Sequence, residues 1–265
     1  MGEVRWERLT APELRALAER DAVVVAPVAS LEQHGPHLPV WTDSLIGHAV
    51  SVRAAELCED LPAVVLPPMW LGLSEHHFPF GGTISLDYAT FAGVLRCILR
   101  SLLADGFSKV MFFNSHGGNA DPLAVATREL AHEFGIPVLT TAITRVAPAE
   151  IAAALTAQSG IQHACEGETS LWLHLDPGQV RMAEIARSVS PGGFDATGQA
   201  VTRFWSFSER APLTGVRGDA RAATAEKGRA IFEAMAAGLA RELRNPAHWS
   251  KPDEVWRRGR AQGPR

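Results

Sequence analysis

Residues Asp21–Ser30, DAVVVAPVAS, run without a break into Leu31–Asp43, LEQHGPHLPVWTD. The first segment carries an apolar run from Ala22 to Val28, rich in β-branched residues, and reads as a buried strand. The second sets Glu32, His34, His37 and Asp43 beside Gly35, Pro36 and Pro39. A buried strand that ends in metal-binding side chain types suits an α/β protein, whose ligand site lies outside the carboxyl ends of parallel strands.

The rest of the chain repeats that alternation. Strand-like runs recur in AVVLPPMWL, KVMFFN and PVLTTAIT, separated by helical patterns. One helix is marked by Phe91, Leu95, Ile98 and Leu102 before Gly106, and another, roughly Thr224 to Leu243, by Ile231, Met235 and Leu239. Thr10 and Glu13 form a capping-box pattern at the head of an opening helix. The expected fold is therefore α/β with a mainly parallel central sheet. Ser188 to Asp219 reads as a long excursion over the surface. Residues 1–246 are expected to form a single domain and 247–265 a peripheral tail.

Composition narrows the partners. The chain has 265 residues, 46% of them hydrophobic, with 25 basic and 29 acidic residues and a net charge of -4. This balance gives no footprint for nucleic acid or an anionic membrane, and points to a small-molecule substrate. No apolar run is long enough to span a bilayer. The cysteines Cys58, Cys97 and Cys165 are odd in number and widely spaced, which suggests a reducing, cytoplasmic setting.

Three polar clusters follow three strand-like runs, so their loops can converge on one site. Glu32 and His34 are two apart and project to the same side of an extended segment, and Asp43 follows at the start of a helix. Mixed carboxylate and imidazole donors suit zinc, manganese or iron. His116 ends the third run, followed by Gly117 and Gly118, and reads as a metal ligand. The competing reading of SHGGN is a phosphate nest without turnover, although the usual phosphate-loop spacings are absent. In HACEGETSLWLHL, Glu168 heads a buried helical stripe, where an ionised carboxylate needs a cation. Glu166 points elsewhere on that helix as a solvated or supporting acid, and Cys165 is a small buried residue. His163 is a candidate general acid or base. Ser74, Glu75, His76 and His77 lie in a loop whose length and composition suit a lid that contacts substrate.

Together, Glu32-x-His34-Gly35-x-His37 with Asp43, Asn114-x-His116-Gly117-Gly118-Asn119, and His163-Ala164-x-x-x-Glu168-Thr169-Ser170 resemble the creatininase (creatinine amidohydrolase) family. The match runs in order from about Val23 to Leu175, and TAEKG at Thr224 is similar to the family's C-terminal signature. The resemblance implies a three-layer α/β sandwich, two divalent metal ions per chain and a homo-oligomer, often a hexamer. It also implies that Glu32 and His116 hold one metal, His34 holds the other, Asp43 bridges them, and His163 shuttles a proton. Catalysis would fall to His163 and Glu168, and substrate contact to Ser74, Glu75, His76, His77, Gly117 and Gly118.

True creatininase reads His-Tyr-Glu where this chain reads His116-Gly117-Gly118, and that glutamate is a metal ligand. The second metal then needs another donor, and Glu168 is the expected one. The expected activity is metal-dependent hydrolysis of a small cyclic or linear C–N bond other than that of creatinine. Relatives with His-Gly-Gly-Asn include a formamide-cleaving pyrimidine deformylase and a peptidase that trims the mycofactocin precursor, so peptide trimming is the alternative.

Overall fold

The computed structural model describes residues 2–190, 192–193, 200 and 203–251. Four parallel strands, β1 (Val23–Val28), β2 (Ala63–Val65), β3 (Lys109–Asn114) and β4 (Val138–Ala142), form one sheet in the order β2-β1-β3-β4. β1 is buried along its whole length because both its neighbours and both its faces are covered. β2 is shorter than the apolar run AVVLPPMWL suggests. Pro67 and Pro68 cannot donate ladder hydrogen bonds, and pairing resumes only as a bridge between Val28 and Met69.

Alternate residues of the central strands feed two cores. Val23, Val25, Met111 and Phe113 pack under α2 (Thr42–Glu56), α5 (Pro148–Ala154), α6 (Glu166–Leu175) and α7 (Ala225–Arg244). Val24, Ala26, Val110 and Phe112 pack under α1 (Ala11–Glu19), α3 (Tyr88–Ala104) and α4 (Ala120–Phe134). The result is the expected three-layer α/β sandwich. Leu99 is fully buried in α3 while Ile98 is only partly so, a one-position rotation of the stripe read from sequence. The Thr10–Glu13 capping box is formed.

The TAEKG segment has a structural explanation. Thr224 caps α7 by accepting from the Lys227 N–H at 3.2 Å. Gly228 lets α7 approach α6, because a Cβ there would stand 1.8 Å from the Ser170 carbonyl oxygen. Lys227 Nζ reaches back 2.5 Å to Glu166.

The segment after Ser188 departs from the expected surface excursion. Its bridges Val189↔Asp219 and His163↔Arg217 tie it to the body, and its returning limb buries Phe207. Residues 191, 194–199, 201 and 202 lie outside the described residues. At the other end, Trp249 packs against the first core and donates Nε1–H to the Leu243 carbonyl at 2.9 Å. The remainder of the tail, 252–265, lies outside the described residues. Among the described residues, no helix is long and apolar enough to cross a membrane.

Candidate metal centre

The carboxyl ends of β1 and β3 deliver the first ligand-type groups. Beyond β1 the chain carries Glu32 and His34, then Asp43 in the first turn of α2, where the helix dipole favours a negative charge. His116 follows β3 directly. Asn114 fixes its backbone by accepting from the His116 N–H at 3.1 Å and donating to its carbonyl at 2.8 Å. Glu168 comes from the first turn of α6 and His163 from the loop ahead of it.

These side chains meet in one buried cluster. His116 Nδ1 is 3.2 Å from Glu32 Oε1 and 3.3 Å from Asp43 Oδ2. His34 Nε2 is 3.4 Å from Asp43 Oδ1 and 3.8 Å from Glu168 Oε2. His163 Nδ1 is 3.4 Å from Glu32 Oε1. Ligand atoms of Glu32, His34 and Asp43, and likewise of His34, His163 and Glu168, lie within 4.8 Å of one another.

Hydrogen bonds to the far side of each ring select the tautomers. His34 Nδ1–H donates to the Glu32 carbonyl at 3.1 Å, and His116 Nε2–H to the Leu73 carbonyl at 3.0 Å. His34 Nε2 and His116 Nδ1 are thereby left with lone pairs facing the carboxylates, as metal-binding imidazoles require. His34 Nε2 and Asp43 Oδ2 are buried with no hydrogen-bond partner. Orphaned acceptors of this kind are costly without a cation, so the residues fit a divalent metal ion.

The charges point the same way. Burial works against the charged form of His34, but Asp43, Glu168 and Glu32 lift it to about 9. Burial also opposes protonation of His116, which Glu32 and Asp43 hold well above the ordinary histidine value. For Asp43 the two histidines outweigh burial and lower its pKa. Burial raises Glu168 to about 8, against the pull of His34 and with help from Asp43. Protons occupy this acid cluster where no cation does.

His163 is set apart. Burial, with His34 and His77 close by, pushes it well below the ordinary histidine value. Its Nε2–H donates to the Gln33 carbonyl at 2.8 Å, which leaves Nδ1 facing the cluster as a proton acceptor.

The loop after β2 divides in its roles. His77 is buried beside Glu32, with Nε2 3.5 Å from Oε1. His76 is buried, stacks on His116 with ring centroids 5.8 Å apart, and is pushed down to about 4 by burial. Two expected substrate contacts depart from expectation. Ser74 is wholly buried beneath His116, with its hydroxyl against Ser30 and 3.1 Å from His116 Nε2, so it supports the His116 ring. Glu75 is exposed and accepts from Ser85 at 3.5 Å, away from the ligand cluster. Gly117 is exposed, while Gly118 is enclosed, for a Cβ there would lie 2.4 Å from both His116 Nε2 and the Leu73 carbonyl oxygen. Glu166, read from sequence as a solvated or supporting acid, is fully buried and occupied by Lys227, Thr156 and Ala157.

Gln33 escaped the sequence reading. Its amide donates to His77 Nδ1 at 2.9 Å and to the Gly215 carbonyl at 3.1 Å, joining the lid histidine to the returning limb. Its only signal was a polar residue between two candidate ligands on an alternating segment. His37 likewise ties the first loop to α6 through Thr169 Oγ1 at 2.8 Å.

A parallel α/β sheet with this acid–histidine cluster at its carboxyl edge is suited to metal-dependent hydrolysis. Residues 7–243 match the creatininase (creatinine amidohydrolase) family model, and the chain belongs to that family of amidohydrolases. It is 32% identical over 244 residues to a mycofactocin precursor peptide peptidase of Mycolicibacterium smegmatis, covering 87% of each chain. It is 30% identical over 262 residues to a creatinine amidohydrolase of Pseudomonas putida, covering 92% of this chain and 95% of that one. A solved structure described as creatininase Mn superposes with a TM-score of 0.77 at 30% identity, covering 92% of this chain and 99% of that one.

Proposed function

We propose that the chain hydrolyses a non-peptide C–N bond of a small cyclic or linear amide other than creatinine, using two divalent ions of zinc, manganese or iron. The observation that carries this reading is Asp43, whose two oxygens face two differently oriented imidazoles, one on each side of a would-be bridge. Glu32, Asp43 and His116 would hold one ion, and His34, Asp43 and Glu168 the other. Ions held there supply Lewis acidity toward the carbonyl and toward water. The chain's own contribution is a proton route. His163 Nδ1, kept neutral by burial, accepts a proton at the cluster and returns it to the departing nitrogen. Phe207, edge-on to His163 at 4.7 Å, shields that ring from bulk water.

Gly117 and Gly118 argue against creatinine, since the side chains found there in creatininase are missing. The phosphate-nest reading is disfavoured because Gly118 in the Gly117–Asn119 turn is pressed against the Leu73 carbonyl oxygen and His116 Nε2, each 2.4 Å from where a Cβ would stand, which leaves an anion no room there. Cleavage of a short modified peptide is the second reading, supported by the 32% identity to the mycobacterial peptidase. The proposed setting is cytoplasmic, in keeping with three free cysteines. The proposed assembly is a homohexamer, as the family resemblance implies, and the exposed Trp41 and Trp70 rings, 6.5 Å apart beside an apolar groove at Pro67 and Pro68, offer a surface for contact between copies.

The test is elemental analysis followed by an assay panel of amides, lactams, formamides, imides and short peptides with each metal. One to two equivalents of metal per chain and turnover of a small amide are expected. A metal-free chain that binds phosphate would overturn the reading, and turnover confined to peptides would replace it with the second one.

A further inference from the structure

The limb that returns over the site brings a second group of side chains to its rim. A cleft there is walled by the rings of Phe204, Trp205 and Phe207, by His76 and by Arg210. Two of these walls also touch the metal cluster. His76 stacks on His116, and Phe207 stacks on His77 with centroids 4.2 Å apart. The cleft therefore adjoins the candidate centre.

Its charges do not balance internally. Arg203 and Glu209 pair at 2.8 Å. Arg210 is only partly exposed, and among the described residues no carboxylate or other acceptor meets its guanidinium. His76 is unsatisfied as well, being 9% exposed with no hydrogen-bond partner for Nδ1. A partly desolvated guanidinium beside aromatic rings is costly alone, and the cost is offset when an anion enters. Arginine's planar fork suits a carboxylate in particular. The free space is about 10 Å³, close to that of a single water. It has room for one oxygen atom of an anion at the rim. Gly118 belongs to the same arrangement, because a Cβ there would stand 2.8 Å from His76 Cε1. Glycine at 118 thus leaves the room that the His76 ring takes.

We propose that Arg210 and His76 form an anion subsite, so that the substrate is an amide bearing a carboxylate a few bonds from the C–N bond to be cleaved. This rests on the amidohydrolase reading and names its substrate class.

Calorimetric titration of the metal-loaded full chain with malonamate, succinamate and glutaramate tests it, each compared with the neutral amide in which methyl replaces carboxylate. At least one anionic amide should bind about 10-fold more tightly than its neutral partner, the scale of a charge-assisted contact. Arg210→Met should abolish that preference at unchanged metal content and circular dichroism, and Arg210→Lys should keep part of it. Equal binding within every pair, including no measurable binding of either member, overturns the subsite, as does a preference that survives in Arg210→Met. Metal content of the same samples separates the two failures. A wild-type chain that takes up no metal overturns the amidohydrolase reading and the subsite together, whereas a metal-loaded chain without preference overturns the subsite alone.

Discussion

The Asp43 carboxylate and the His34 imidazole face each other at 3.4 Å, both buried, with His34 Nε2 left without a hydrogen bond. The second oxygen of Asp43 meets His116 at 3.3 Å. On the proposed two-metal reading, Asp43 is the side chain that would touch both ions. Asp43→Ala should therefore lose both metals and all activity, while Glu32→Gln or His116→Ala should lose metal mainly at one position. Elemental analysis decides it, and full metal content in Asp43→Ala would remove the bridge.

Gly118 invites a test of whether the missing glutamate can be restored. Its backbone is pressed against the Leu73 carbonyl and His116 Nε2, each 2.4 Å from the point a Cβ would occupy. The carbonyl belongs to the main chain and cannot swing aside. Gly118→Ala should destabilise the fold by about 1–3 kcal/mol, as overpacking does, and Gly118→Glu by at least as much without adding a ligand. Urea denaturation measures the first effect and metal analysis the second.

What the sequence made legible follows from distance along the chain. Strand β1, the stripes of α3 and α7, and the pairing of Glu32 with His34 are local periodicities, readable within a few turns. The convergence of three loops was readable because parallel strands share one carboxyl edge. The partners that were misread are remote. Glu166 finds Lys227 across 61 residues, and Ser74 finds His116 across 42. No short-range pattern encodes either contact. Nor does composition distinguish Ser74, buried under His116, from His77, which stands beside Glu32.

The Glu166–Lys227 pair yields a pH prediction. Burial would raise the Glu166 pKa, but Lys227 and the Ala157 and Thr156 donors outweigh it and hold it below the ordinary value of 4.5. A lowered folded-state pKa contributes stability above the unfolded value, and that contribution is lost as pH falls through the folded one. Lys227→Met, which leaves the buried carboxylate with only its Thr156 and Ala157 donors, should cost about 1.5–3 kcal/mol at pH 7. In Glu166→Gln the acid-induced part of the stability loss below pH 4.5 should shrink relative to wild type. Denaturant unfolding from pH 7 down to pH 3 reads both, and parallel pH profiles for Glu166→Gln and wild type would refute the assignment.

On the proposed two-metal reading, Glu168 would decide how a second ion is held, since Gly118 offers no side chain for it. Its Oε2 accepts from the Ala164 N–H at 2.5 Å and lies 3.8 Å from His34 Nε2. Burial and the neighbouring Asp43 raise its pKa to about 8 despite His34. A carboxylate so placed is either protonated or paired with a cation, and a metal ion shared with His34 and Asp43 supplies that cation. The competing role is support alone, in which Glu168 steadies the loop at Ala164 and orients His34, and its loss weakens metal affinity by roughly 10 to 100-fold. Glu168→Gln separates the two, because the amide keeps the size and can still accept from Ala164 but cannot supply a charged ligand. Direct ligation predicts about one metal lost per chain at saturating metal, with the Glu32–His116 ion retained. Retention of both ions with slowed turnover would reject ligation and leave Glu168 as a positioning residue.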